Sequence, residues 1–167
     1  MTETVNEPKK LVAYFSCTGN TRSVAEQIKN AINADVYEIQ PEVPYTSADL
    51  NWRDNSSRSS MENNDPSSRP AISGGIENIG QYNVIFLGYP IWSGQAPRII
   101  LTFLESYDFS GKTIIPFCTS GTSGVGTSDT NLHRLCSENT KWISGSRFNS
   151  NISHSEIAAW IDGLKLE

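Results

Sequence analysis

With 167 residues, 37% of them hydrophobic and 10% aromatic, the chain can build one compact domain with its own core but not two comfortable ones. Thirteen basic against 18 acidic residues leave a net charge of −5 with no basic stripe, which excludes a general binder of nucleic-acid backbones. Three cysteines without CxxC spacing and two distant histidines do not make a zinc set, and no run approaches the roughly 18 apolar residues of a membrane span.

Lys10 to Ser16 is an almost continuously apolar run, the pattern of a strand buried on both faces in a parallel sheet. The small polar residues from Ser16 to Thr21 break it. From there to about Asn33, Val24, Ala25, Ile28, Ala31 and Ile32 recur at helical spacing. Ala34 to Gln40 alternates like an edge strand, which Pro41 stops. The stretch 41–75 is rich in Ser, Asn, Asp, Arg and Pro, with Leu50, Trp52 and Met61 as its only candidate anchors. Because a structureless segment of this length is uncommon inside a compact domain, a poorly amphipathic helix is expected between Ser47 and Asn63, followed by a turn at Asp65-Pro66.

Asn83 to Tyr89 is a second buried strand. Pro97 suits a helix start, and Ile99, Ile100, Phe103 and Leu104 supply that helix's apolar face. Thr113 to Cys118 is the next strand, and Leu132, Leu135 and Cys136 suggest a short helix. Trp142 to about Phe148 is a weak last strand. Ser153 and Glu156 form a capping box that opens a final helix, with Ile157, Trp160, Ile161 and Leu164 facing inward. Strands alternating with helices predict an α/β doubly wound parallel sheet of five strands with helices on both faces, as one domain spanning 1–167 with a flexible segment at 1–9.

Ligands of open α/β sheets bind beyond the carboxyl ends of the strands, where the strand order reverses. The loops richest in Gly, Ser and Thr follow the first, third and fourth strands. The first is Ser16-Cys17-Thr18-Gly19-Asn20-Thr21. Its hydroxyls and amides donate hydrogen bonds, Gly19 lets the backbone close around an anion, and the following helix adds unpaired N–H groups. It lacks a GK[ST] element, so it suits a monophosphate rather than the terminal phosphates of ATP.

The string Ser16-x-Thr18-Gly19-Asn20-Thr21, directly after the first strand, resembles the phosphate loop (T/S)-x-T-G-N-T of flavodoxins. From about Lys10 to Leu166 the chain is similar to short-chain flavodoxin-like FMN-binding proteins. The resemblance implies strand order 2-1-3-4-5, FMN as cofactor, and Ser16, Thr18, Asn20 and Thr21 with the loop amides, Cys17 and Gly19 included, around its phosphate. The second loop, Gly88 to Pro97, contains Gly-Tyr-Pro-Ile-Trp, which resembles a flavin-contacting loop of a divergent branch. Trp92 is the candidate for stacking on the isoalloxazine, an apolar use of its large face, with Tyr89, Pro90, Ile91, Ser93 and Gly94 beside it. In the third loop, Thr119, Ser120, Gly121, Gly124, Val125 and Gly126 are the expected contacts to the pyrimidine edge.

Two features depart from the family pattern. The third loop lacks the tyrosine that many flavodoxins place over the second flavin face. None of the three loops carries Asp or Glu, while Arg22 and Arg98 flank two of them, which predicts a less negative potential for the reduced flavin than in strongly acidic flavodoxins. Cys17 is expected to be passive, Cys118 and Cys136 to belong to the core, and His133 and His154 to lie on helix surfaces. Arg53, Arg58 and Arg69 are expected on a solvated face. Asn51-Trp52-Arg53 and Arg69-Pro70 resemble further features of the divergent branch and carry no role here.

The expected function is an electron carrier between redox partner proteins, the alternative being an NAD(P)H- or quinone-dependent FMN oxidoreductase that uses a small-molecule donor or acceptor. No catalytic residue, metal, nucleic acid or membrane is expected. The odd cysteine count and polar start point to the cytoplasm.

Overall fold

The computed structural model describes residues 9–51, 53–92, 95–119, 132–143, 145–149 and 151–164. Its main sheet contains β1 (Lys9–Tyr14), β2 (Asp35–Glu38), β5 (Tyr82–Pro90) and β6 (Thr113–Thr119), with β7 (Lys141–Trp142) and β8 (Ser146–Phe148) sharing the far edge. The order is β2-β1-β5-β6, followed by β7 and β8, and every pairing is parallel. Counted as five strands, this is the expected order 2-1-3-4-5. β3 (Gln40–Pro41) and β4 (Ile72–Ser73) form a small antiparallel ladder of their own.

The alternation of side chains along the central strands fills two cores. Leu11 and Ala13 of β1, with Phe15 just beyond its end, face the layer that holds Ile99, Ile100, Phe103 and Leu104 of α3 (Arg98–Ser106). Val12 and Tyr14 face the other layer, with Val24, Ala25 and Ile28 of α1 (Asn20–Ile32) and Ile157 of α4 (His154–Leu164). A strand apolar at every position is therefore one buried on both faces. Ser153 Oγ accepts the Glu156 N–H at 3.3 Å, which supplies the expected N-terminal cap of α4.

Three expectations need correction. The single last strand is broken: Ile114 pairs with Trp142 and Phe117 with Ser146, so four residue steps on the edge strand face three on β6 and the edge must bulge. β2 ends at Glu38, ahead of Pro41, which instead lies in β3, a place that a proline tolerates in a two-stranded edge ladder. The weak helix shrinks to α2 (Arg58–Asn64), capped by Ser57, whose side chain accepts from the Ser60 N–H. Upstream of it, side chains take the backbone groups instead: Thr46 N–H donates to Asp49 Oδ2 at 2.9 Å, and Asp49 N–H to Thr46 Oγ1 at 3.1 Å. Met61, an expected anchor, is 61% exposed, and the segment is instead buried through Ser57, Ser59 and Asn63. Trp52 lies outside the described residues. Of the short helix near Leu132, the described part shows turn bonds from Leu135 N–H to Leu132 C=O and from Cys136 N–H to His133 C=O.

The carboxyl ends of the central strands are held in one register, with Tyr14 opposite Gly88 and Gly88 opposite Phe117. A methyl group at Gly88 would fall inside the Phe117 ring. Substituting Gly88→Ala should destabilise the fold by about 1–3 kcal/mol through overpacking, read as a lower urea midpoint with an unchanged m-value.

Candidate functional site

The first loop leaves the sheet at Phe15, whose N–H donates to Gly88 C=O at 3.0 Å. Ser16 Oγ then accepts the Gly19 N–H at 3.1 Å, which folds the loop back on itself. Gly19 has φ +91°, a conformation that L side chains rarely adopt, and it stands at the N-cap of α1. No side chain caps this helix and no acidic residue lies in its first turn. The first helical bond runs from Ser23 N–H to Gly19 C=O at 3.0 Å, so the amides of Asn20, Thr21 and Arg22 find no acceptor within the helix. Cys17, Thr18, Gly19 and Asn20 are exposed around this positive end.

Thr21 is placed differently from its neighbours. It is 1% exposed, and its hydroxyl pairs with that of Thr119 at 2.7 Å, tying the start of α1 to the end of β6. Only one of the two hydroxyls donates in that pair, so one proton is left for a further acceptor.

A cleft of ≈ 480 Å³ opens above the loop. Ser16, Cys17, Thr18 and Thr21 form one wall, and Pro90, Ile91 and Trp92 a second. Sequence reasoning missed the third wall, which is made of Leu50, Ser59, Ser60 and Asn63 from the stretch judged least legible. Its polar residues carry no periodic signal, because turns and carbonyl contacts hold them rather than an apolar stripe. Asn63 Nδ2 donates to Trp92 C=O at 2.8 Å, and Arg98 donates to Glu62 C=O and Asn63 C=O at 3.2 and 2.7 Å. Arg98 thus caps the carboxyl end of α2 and fastens the wall to α3.

Trp92 is set by its neighbours on both sides. Its N–H and C=O pair with Gln95 at 2.8 and 3.0 Å, and its ring packs edge-on against Phe15 and Tyr45 at 5.7 and 5.4 Å. Tyr89, expected beside the ring, has no exposed surface, because the parallel register turns it into the core with Leu87 and Ile99. Thr119 is buried as well. Ser93, Gly94, Ser120, Gly121, Gly124, Val125 and Gly126 lie outside the described residues.

Charge at the mouth is paired. The Arg58 guanidinium lies 3.8 Å from the Tyr45 ring centre and bonds Glu62 at 3.0 Å, while the Tyr45 hydroxyl donates to Glu62 at 2.6 Å. Burial, then the Glu62 carboxylate, push the Tyr45 phenol well above its ordinary range. Arg58 therefore stands on an aromatic face rather than in solvent. Arg69 pairs with Glu105, and Arg22 bonds Tyr14 and Glu38, so the positive charge expected beside the first loop is partly neutralised. His133 is half-buried against Trp142, with ring centres 4.4 Å apart, rather than on a free surface. Among the described residues no His, Cys, Asp and Glu group could hold a metal ion, and no helix is long and apolar enough to cross a membrane.

A family model described as flavodoxin matches residues 9–164. A protein from Bacteroides eggerthii described as a candidate flavoprotein is 47% identical, covers 96% of this chain and 100% of its own, and has a TM-score of 0.90. A second, from Bacteroides uniformis, is 44% identical over 93% of this chain and 98% of its own, with a TM-score of 0.88. A flavoprotein from Lactobacillus acidophilus, solved in complex with FMN, shares the fold at 23% identity and a TM-score of 0.66, over 93% of this chain and 99% of its own. No curated protein matches the sequence.

Although Cys17 reaches solvent at the loop surface, partial burial of its thiol against the cleft pushes it up to about 11, against a weaker opposing pull from Arg58. The thiol is therefore protonated at neutral pH and a poor nucleophile. Alkylation of Cys17 in the folded protein, followed by peptide mapping, should be slow at pH 7 to 8 and climb only as the pH approaches 11. In denaturant the same cysteine should titrate near its ordinary value of about 8.5.

Proposed function

We propose that this chain, which belongs to the flavodoxin family, binds FMN in the cleft above the first loop and serves as an electron carrier between redox partner proteins. The observation that carries the reading is the start of α1. Its first-turn amides lack a side-chain cap, Gly19 holds the left-handed turn beneath them, and the hydroxyls of Ser16 and Thr18 stand alongside. Such a donor set is neutral and fits one phosphate monoester. The cleft volume of ≈ 480 Å³ fits a ligand of FMN's class, with Trp92 as the aromatic wall. FMN, when bound, supplies one- and two-electron chemistry, so the protein's part is to hold it and set its surroundings. Support also comes from the FMN complex of the Lactobacillus acidophilus relative.

In this reading, Ser16, Thr18, Asn20 and the α1 amides hold the phosphate. Trp92 stays in place because Asn63 fixes its carbonyl and Phe15 and Tyr45 brace its ring. Among the described residues no carboxylate lines the cleft, and Glu62 at its mouth is engaged by Arg58 and Tyr45. The reduced flavin would therefore meet little negative charge, and its potential should be less negative than in a flavodoxin with an acidic flavin surround. A second reading, an FMN oxidoreductase of NAD(P)H or quinones, is favoured by an arginine-lined hollow that adjoins the cleft at Asn63.

The purified protein should be yellow and release FMN on denaturation; a colourless chain that takes up no FMN refutes the assignment. Gly19→Ala should weaken FMN binding by about tenfold, because a side chain in the left-handed region costs roughly 1–2 kcal/mol. Fluorescence titration of the apoprotein reads this directly. Anaerobic mixing with NADPH or NADH, then a quinone, separates the two roles: turnover marks the enzyme, and reduction only through a reductase partner marks the carrier.

A further inference from the structure

Next to the first cleft lies a second, of ≈ 570 Å³, and Asn63 belongs to the walls of both. Arg69, Arg98 and Arg134 line it, and among the described residues no carboxylate does. Leu101, Leu132 and Leu135 give it an apolar side. We propose that this cleft binds a phosphate-bearing small molecule with a flat apolar body, a nucleotide-like electron donor or acceptor brought beside the flavin site. The redox role of the ligand rests on the FMN reading, whereas the anion site itself does not.

Two of the arginines are aimed before any ligand arrives. Arg69 is held by Glu105 at 2.6 Å and by the carbonyls of Pro66 and Ser68 at 2.9 and 2.8 Å. Arg98 is held by the carbonyls at the end of α2. Neither has to be ordered at the moment of binding, which removes part of the entropic cost. Burial, then repulsion from Arg69, lower the Arg98 guanidinium, with only Asp65 pulling the other way. An anion between them would relieve that repulsion. Arg134 is exposed and makes no ion pair among the described residues, so its fork is open to a phosphate. Glu105 neutralises much of Arg69 through contacts at 2.6 and 3.3 Å, and Glu62 faces Arg58 and Tyr45, which leaves Arg98 and Arg134 without an ion pair among the described residues to carry the site's charge.

The test is calorimetric titration of the FMN-loaded protein with pyrophosphate and with adenosine 5′-diphosphate. Saturable binding of both is expected, falling as salt rises. Adenosine diphosphate should bind more tightly, through the apolar side. Arg134→Gln should weaken both by about tenfold, the loss of one charge-assisted pair, while FMN affinity stays unchanged. Equal binding by the wild type and Arg134→Gln overturns the proposal, as does pyrophosphate that displaces FMN, which would make the two clefts one site. Binding that depends on Arg134 in a chain unable to take up FMN would uphold the anion site and overturn the redox role of its ligand.

Discussion

The contact between Gly88 and the ring of Phe117 governs the edge on which the site is built. Gly88 stands between Tyr14, the last residue of β1, and Phe117, two residues before β5 and β6 end together. Its missing side chain lets an aromatic ring lie over the strand there. Phe15 N–H then bonds to Gly88 C=O, and Ile91 N–H to Thr119 C=O, so the loops after these strands begin from one level. A slip of one residue in β5 would exchange its two faces and carry Trp92 away from the loop Ser16–Thr21.

From that edge, charge and polarity are arranged in two zones. Around the start of α1 the protein offers amides and hydroxyls with no formal charge, a donor set chemically suited to an anion without excess positive charge. Beyond Asn63 the arginines collect, held by carbonyls and one carboxylate. The divider between the zones is α2, a seven-residue helix too short to be stable alone. It depends on Arg98 at its carboxyl end and on Asn63 reaching Trp92, so the wall of the site and the aromatic in it are one mechanical unit. Asn63 Oδ1 is buried without a partner among the described residues, a cost the fold accepts at the point where the two clefts meet.

Where apolar side chains hold an element, the sequence was legible. The runs at Lys10–Phe15, Asn83–Tyr89 and Thr113–Cys118 announce doubly buried strands, and the spacing of Val24, Ala25 and Ile28 announces α1. Where polar side chains hold it, the pattern was silent. Ser57, Ser59 and Asn63 are buried by hydrogen bonding and by neighbours distant in the chain, so residues 41–75 offered only a poorly amphipathic helix somewhere between Ser47 and Asn63, with Met61 as an anchor that it is not.

The amino-acid sequence alone determined the alternation of strands and helices, the helix faces and the hexapeptide Ser16–Thr21, because these follow from local periodicity and from a loop that is contiguous in the chain, while the strand order 2-1-3-4-5 came from the family resemblance that the hexapeptide carries. Only the tertiary structure decided that Tyr89 is core and Trp92 is wall, that Thr21 is tied to Thr119, and that Asn63, Arg58 and Arg98 belong to the site at all. Each of these depends on a partner more than ten residues away in the chain, and a contact of that kind leaves no period in the sequence.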